Sequence, residues 1–409
     1  MKKKTIRAVC WILTPMILLT LSIYYKLGTI PTTIFIREGQ ELQSSNFIKL
    51  TEDKEIKVNN ILENKSNVRK AKVTLLGLVP LKSVLVKAVS PEITLYPGGQ
   101  PVGVKLNTQG VLIVAMSDIE TEKGKGTSPG AAAGLQVGDS IIKINNVPVT
   151  SSEQVSKIVA DCDGDDLNLI ISRKGSELSK TIKPLKNTND GKFKIGLWIR
   201  DSTAGVGTLT FYDDKTKKFA ALGHPITDAD TGTILSISSG QIVSSSIVSV
   251  RKGARGNPGE LKGIFVDEEI SLGEIFKNTE CGIFGSTTKK LSNDKFNKPM
   301  KIGLRHEIKE GPAKVITTID GGEPKAYDIE IQKLLQQDTP GPKSMVIKVT
   351  DPVLLEKTGG IVQGMSGSPI IQNNKIVGAV THVLINKPDV GYGIYIEWML
   401  KDADILQNK

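Results

Sequence analysis

Polar and apolar positions separate sharply at the start of the chain. Lys2, Lys3, Lys4 and Arg7 precede an apolar run from Ala8 to Tyr25, at the lower limit of what spans a bilayer as a helix. Basic residues on the near side predict a cytoplasmic N-terminus and an exported remainder. No small-x-small cleavage site closes the run, which continues as Ser22-Ile23-Tyr24-Tyr25-Lys26, so it reads as an uncleaved membrane anchor over 1–28 and not as a removed signal peptide. Pro15 is compatible with a spanning helix. Beyond the anchor, alternation at Lys72-Val73-Thr74-Leu75 and Val84-Leu85-Val86-Lys87 predicts strands in an extended pro-segment over 29–93, with no chemistry of its own.

From Thr94 to Lys186 the pattern becomes α+β. Ser128-Pro129-Gly130-Ala131-Ala132-Ala133-Gly134-Leu135 predicts a short helix stopped at Gly134, where a left-handed cap suits glycine. Gly138-Asp139 turns into the apolar run Ile141 to Ile144, Asn145-Asn146 makes a hairpin turn, and Ser151 to Val159 is a helix with Val155, Ile158 and Val159 on one face. Leu167 to Ser172 and Leu178 to Ile182 close the unit. This succession resembles the PDZ-like domain of bacterial exported proteases. Such domains bind an extended peptide by adding it to a sheet edge and capturing its carboxylate on backbone N–H groups. Pro101, Val102, Gly103 and Val104 are the candidate peptide-binding loop, the alternative being a glycine turn in an ordinary strand pair.

After the polar linker Asn187 to Gly191, short strand patterns recur between Gly, Pro and Asp turns up to Lys409, among them Gly207–Tyr212, Gln241–Val250, Ala313–Ile319, Lys343–Val349 and Lys375–Leu384. Many short strands at this spacing predict a sandwich or barrel. Within it, Gly364-Met365-Ser366-Gly367-Ser368-Pro369 has the form of a nucleophile turn. Glycines let the backbone bend and a substrate carbonyl approach, and the N–H groups of Gly364 and Ser366 have the offset of an oxyanion hole. A serine needs a base, and His224, in Leu222-Gly223-His224-Pro225, precedes it in the order expected of a chymotrypsin-like chain. His382, on the strand that would line the cleft, is a weaker candidate base, and His306 sits in a charged, exposed context. Two aspartates could orient the base. Spacing from His224 favours Asp267, while Asp351 lies closer to the serine.

Composition narrows the classes. Aromatics are only 5%, glycines number 40, and the formal net charge is +10. The basic residues are interleaved with acids and form no stripe with stacking aromatics, so nucleic acid is not expected as a partner. The excess suits an anionic membrane surface. Cys10, Cys162 and Cys281, with three scattered histidines, show no disulfide framework and no metal spacing. No metal and no cofactor are expected.

Leu222-Gly223-His224-Pro225, Val349-Thr350-Asp351, the block Lys357 to Pro369, Gly378 to Val383 and Glu397-Trp398-Met399-Leu400 together closely resemble the SpoIVB peptidase family of endospore-forming bacteria. The resemblance implies a mainly β protein: a chymotrypsin-like β-barrel serine peptidase domain over 187–409, preceded by a PDZ-like domain over 94–186 and the anchor. It implies a triad of His224, Asp351 and Ser366, which turns the choice of aspartate to Asp351. It further implies a sporulation signalling protease, secreted by the forespore into the space between the two spore membranes. Such a protease cleaves itself and then a membrane-bound, SpoIVFA-like regulator, so that an intramembrane enzyme can process the late mother-cell sigma factor. The other reading of the same residues is a membrane-tethered PDZ scaffold with an inactive peptidase-like domain. Met365 stands where chymotrypsin-type zymogens hold an aspartate before the serine. A thioether cannot pair with a new N-terminus, so activation by N-terminal insertion is not expected.

Overall fold

The computed structural model describes residues 93–406 except 338, the segments 33–37, 48–52, 68–75 and 77–89, and single positions between 11 and 32. Half of the apolar run Ala8–Tyr25 lies outside the described residues. Its described members, such as Trp11, Leu18 and Tyr24, are exposed. Among the described residues no helix is long and apolar enough to cross a membrane.

The segment read as extended carries a four-stranded sheet. Its order is Thr33–Arg37, Val79–Val89, Val68–Leu75, Ile48–Glu52, and Ala71, Val73, Val84 and Val86 form its small core. Strand Thr33–Arg37 carries Arg37, whose guanidinium donates to the Ile302 carbonyl and to Glu307 at 2.9 Å each. The sheet is therefore tied to the body of the protein.

The PDZ-like unit forms as its sequence dictates. Ser128 caps the helix Pro129–Ala132 by accepting from the Ala131 N–H at 3.2 Å, and Gly134 follows with φ +76°. Asn145 and Asn146 both take positive φ, the backbone of a two-residue hairpin turn. Ser151 caps the helix Ser152–Ala160, which buries Val155 and Val159 against Ile141, Ile144, Leu167, Leu169 and Ile171. The core of this unit also takes Ile195, because the chain returns after Lys186 and the strand Leu197–Asp213 pairs along Met116–Leu112.

The two units share strands for this reason. Pro101–Met116 runs unbroken from the barrel into the PDZ-like core, and Leu197–Asp213 runs antiparallel to it through both. Apart from two small pairs, Ile119–Thr121 with Gly124–Gly126 and Leu185–Lys186 with Phe193–Lys194, the strands from Thr94 to Tyr395 make one closed, hydrogen-bonded system, so the protein is mainly β. One half gathers Pro101–Met116, Leu197–Asp213, Lys218–Ala221, Ile237–Arg251 and Ser271–Ser286 around Val102, Leu209, Tyr212, Phe219 and Ile242. The other gathers Gly311–Leu334, Met345–Val349 and Pro369–Tyr395 around Val315, Ile347, Ile370, Ile376 and Trp398. The short strand Thr94–Pro97 pairs with both halves.

Shared strands couple the stabilities of the two units. Truncating the fully buried Ile141 to alanine is expected to cost roughly 2–5 kcal/mol and to shift a single unfolding transition seen by calorimetry. Two separate transitions, only one of them shifted, would show that the units unfold independently.

Candidate active site

His224 arrives on a strained turn. Strand Lys218–Ala221 ends in Leu222 and Gly223, both with φ +70°. For leucine this is a costly backbone, on the order of 1–3 kcal/mol, and it persists only where surroundings impose it. Here the Leu222 N–H donates to the Thr208 carbonyl at 3.3 Å, the Gly223 N–H donates to Ala221 at 2.9 Å, and the Leu222 side chain is buried. His224 follows, and its Nδ1 lies 2.8 Å from the Pro225 carbonyl. A carbonyl can only accept, so Nδ1 carries the hydrogen and Nε2 keeps the lone pair that a general base needs.

Ser366 arrives on a second tight turn. Gly364 and Gly367 both have φ +96°. A Cβ on Gly367 would stand 2.2 Å from the Thr208 carbonyl oxygen and 2.5 Å from the Leu222 nitrogen. Only glycine permits this approach, and it sets the serine turn against the histidine turn. Thr208 joins them: its N–H donates to the Ser366 carbonyl at 3.1 Å and its hydroxyl to the Gly364 carbonyl at 2.7 Å. The N–H groups of Met365, Gly367 and Ser368 are bonded to Val362, Val380 and Met365. Those of Gly364 and Ser366 donate to nothing among the described residues. The Ser366 hydroxyl donates to the Thr381 carbonyl at 2.8 Å, a resting contact it must leave to meet His224. Met365 is fully buried and serves the core.

Both turns open on one cleft of about 510 Å³. His224, Ser366, Gly364 and His382 line it together with Val104, Val206, Leu222, Ile361, Val362 and Val383. The rings of His224 and His382 lie 5.1 Å apart at 46°. Burial lowers the pKa of His224, with the Pro225 carbonyl acting in the opposite sense. Burial, then the neighbouring His224 and Lys343, lower that of His382 to about 4.

Comparison with known proteins decides what this arrangement is. Residues 191–400, half of the chain, match the model of the SpoIVB peptidase S55 family. The chain belongs to that family, and it is a serine peptidase. Residues 126–173 match a PDZ domain. Among curated proteins, the regulator of sigma-E protease RseP of Escherichia coli (strain K12) is 40% identical over 65 residues, 16% of this chain and 14% of that protein. Among solved structures, the PDZ domain of an SdrC-like protein from Listeria monocytogenes is 21% identical over 22% of this chain and 87% of its own, with a TM-score of 0.18. The Rv3671c protease from M. tuberculosis, in its active form, is 12% identical over 51% of this chain and 76% of its own, with a TM-score of 0.31.

Two groups of residues picked out in the sequence fall elsewhere in this peptidase. Asp351 is not at His224. It caps the helix Pro352–Thr358: one carboxylate oxygen accepts from the Leu354 N–H at 3.0 Å, the other from the Asp328 N–H at 3.3 Å. An aspartate before Pro at a helix start is a capping signal in its own right. Asp267 is exposed on a loop after the strand Glu260–Phe265, and His306 is exposed as expected. Pro101 to Val104 form no carboxylate-binding loop. They are buried in a central strand, paired on one side with Gly205–Thr208 and on the other with Ile242–Ser244. Val104 lines the catalytic cleft instead. A groove of about 820 Å³ does exist in the PDZ-like unit, between Val155 and Val159 of the helix and the segment from Lys192 to Ile199.

Thr208 was invisible in the sequence as a site residue, because it reads as one more polar position in a strand. The lowered pKa of His224 has a kinetic consequence. Its free base persists below the ordinary value of 6.5, so the acid limb of kcat/KM against pH is expected to have its midpoint below 6.5. A midpoint above 6.5 would mean that His224 is solvated or paired with a carboxylate.

Proposed function

We propose that this peptidase is a sporulation signalling endopeptidase, anchored by its N-terminal apolar run and exported into the space between the two spore membranes. There it cleaves its own N-terminal segment, between Thr29 and Asn60, and then a membrane-bound, SpoIVFA-like regulator of intramembrane sigma-factor processing. Support for this role comes from the family match and from the basic residues before Ala8. Support for the chemistry comes from one observation above all: His224 and Ser366 face a common cleft beside two unspent N–H groups.

In this mechanism the Ser366 hydroxyl turns from Thr381 and passes its proton to Nε2 of His224 as Oγ bonds to the scissile carbonyl carbon. The carbonyl oxygen takes the electron pair and is received by the N–H groups of Gly364 and Ser366. His224 gives the proton to the departing amine. Water, deprotonated in turn by His224, releases the acyl group from Ser366. The Pro225 carbonyl holds the tautomer throughout, a task that falls to a carboxylate in most triads. The apolar walls of Val206, Ile361 and Val362 suit apolar side chains beside the cleaved bond.

Three substitutions test this assignment. Ser366→Ala is expected to abolish self-cleavage and fluorophosphonate labelling without loss of fold. Asp351→Asn, which keeps a good helix cap, is expected to leave turnover within roughly fivefold, where loss of a triad carboxylate would lower it by ~10⁴. Cleavage by Ser366→Ala, or a loss of that size in Asp351→Asn, would contradict the assignment. Ser156→Trp, placed on the exposed face of the PDZ-like groove, is expected to change the pattern or rate of self-cleavage while Ser366 stays reactive to a small probe. Unchanged self-cleavage, as mapped by N-terminal sequencing, would mean that the groove does not hold the chain's own segment.

A further inference from the structure

The hairpin formed by Val68–Leu75 and Val79–Val89 in the N-terminal sheet is apolar at its tip, which reads Leu75-Leu76-Gly77-Leu78-Val79-Pro80-Leu81. Leu78 is 82% exposed, more than any other described large apolar side chain outside the run Ala8–Tyr25, and Val79 is 53% exposed. The turn itself is well made: Gly77 takes φ +81°, and the Leu78 N–H donates to the Leu75 carbonyl at 3.0 Å. An exposed apolar patch with a polar rim marks a surface that meets something other than water. The rim here has one sign of charge. The four strands of the sheet carry seven lysines and arginines against a single acid, Glu52. Two of the lysines flank the tip. Lys49 pairs in register with Thr74, and its side chain lies 3.3 Å from where a Cβ on Gly77 would stand, while Lys82 pairs with Val73. The strand Thr33–Arg37 runs parallel to Val79–Val89 with Thr33 opposite Leu85, so the chain enters the sheet from the end that carries the tip. The Lys82 ammonium donates to the Ile30 carbonyl at 2.6 Å and holds that entry in place.

We propose that this tip is a docking site for an anionic lipid bilayer: Leu78 and Val79 enter the membrane interface, and Lys49 and Lys82 meet the headgroups. The two apolar side chains gain by leaving water, and lysine stems can lie along an apolar surface while their ammonium groups stay among the headgroups. Anionic lipids attract basic residues held within a Debye length of the surface. A protruding tip of two residues offers too little area for a stable protein interface, whereas shallow insertion needs only a few apolar side chains and a basic surround. For its placement the proposal rests on the reading of Ala8–Tyr25 as an anchor. Only Lys26 to Thr29 separate that run from Ile30, so a bilayer holding the run lies at the tip end of the sheet. The hairpin is C-terminal to the segment proposed for self-cleavage. It would stay with the processed enzyme and keep it on the membrane that carries its proposed substrate.

The test uses the full-length protein in vesicles of equal parts phosphatidylcholine and phosphatidylglycerol. Cys10→Ala and Cys162→Ser leave Cys281, which is fully buried, as the one native thiol. Leu78→Cys then carries a nitrobenzoxadiazole fluorophore, with Leu178→Cys, exposed on a strand of the PDZ-like unit, as the reference. Fluorophosphonate labelling of Ser366 confirms that each variant is folded, and retention of the protein in the vesicle pellet at alkaline pH reports on the anchor separately. Lipids bearing a doxyl group near the headgroup are expected to quench the tip fluorophore about threefold more than the reference. Adding Val79→Asp is expected to bring the tip down to the reference level, and phosphatidylcholine alone to weaken the quenching. Equal quenching at the two positions overturns the docking site, and the anchor reading still stands if the protein stays in the pellet. Greater quenching at the tip of a protein that leaves the pellet supports the docking site and overturns the anchor. A tip fluorophore shielded from water but not reached by the doxyl lipid would mean that protein covers the tip, and overturns the proposal. Quenching as strong in phosphatidylcholine alone overturns the role of the lysines.

Discussion

The site depends on one close backbone contact. At Gly367 the chain passes so near Thr208 and Leu222 that there is no room for a side chain, and around that point every connection is main chain or Thr208. The Thr208 carbonyl accepts from Leu222, its N–H reaches the Ser366 carbonyl, and its hydroxyl reaches Gly364. The serine and the histidine are far apart in sequence, but neither turn can move without the other. The strain at Leu222 and the two left-handed glycines are what this contact costs locally. The return is that His224 and Ser366 are held on neighbouring turns over one cleft, with the N–H groups of Gly364 and Ser366 donating to nothing among the described residues.

The same economy of strands joins the remaining parts. Pro101–Met116 carries Val104 at the cleft and Ile113 in the PDZ-like core, so the PDZ-like unit is a continuation of the catalytic sheet and not a bead on a linker. At the other end, the N-terminal sheet is fastened through Arg37 to Glu307, which Lys375 also grips at 2.9 Å. Burial opposes the charge on Glu307, but Arg37, the Leu304 N–H and Lys375 outweigh it and draw its pKa down to about 2. A depressed carboxylate of this kind stabilises the docked form above its unfolded pKa, and the contribution fades as pH falls toward 2. At neutral pH the contact is therefore fully formed.

Much of the site was legible in the sequence because its chemistry needs local signals. Gly364-Met365-Ser366-Gly367 shows its glycines, Leu222-Gly223-His224-Pro225 its turn, and Asn145-Asn146 and Ser151 announce the hairpin and helix that build the PDZ-like core. What was hidden depends on tertiary pairing. Asp351 carries two meanings, triad member and helix cap, and only the fold shows that its carboxylate is engaged by Leu354 and Asp328. Pro101-Val102-Gly103-Val104 looks like a loop because of its proline and glycine. Yet Gly103 is required by the ring of Phe265, which a Cβ would meet at 2.6 Å. Thr208 and the pairing of His382 with His224 have no local signature.

The mechanism proposed for this peptidase has Ser366, the N–H groups of Gly364 and Ser366, and His224 act together at one cleft. A crystal structure of the Ser366 phosphonate adduct tests it most directly. The phosphonyl oxygen should lie ~2.7–3.1 Å from the N–H groups of Gly364 and Ser366, with His224 next to the adduct and Asp351 still on the Leu354 N–H. A phosphonyl oxygen turned away from both N–H groups, or a carboxylate bonded to Nδ1 of His224, would contradict it.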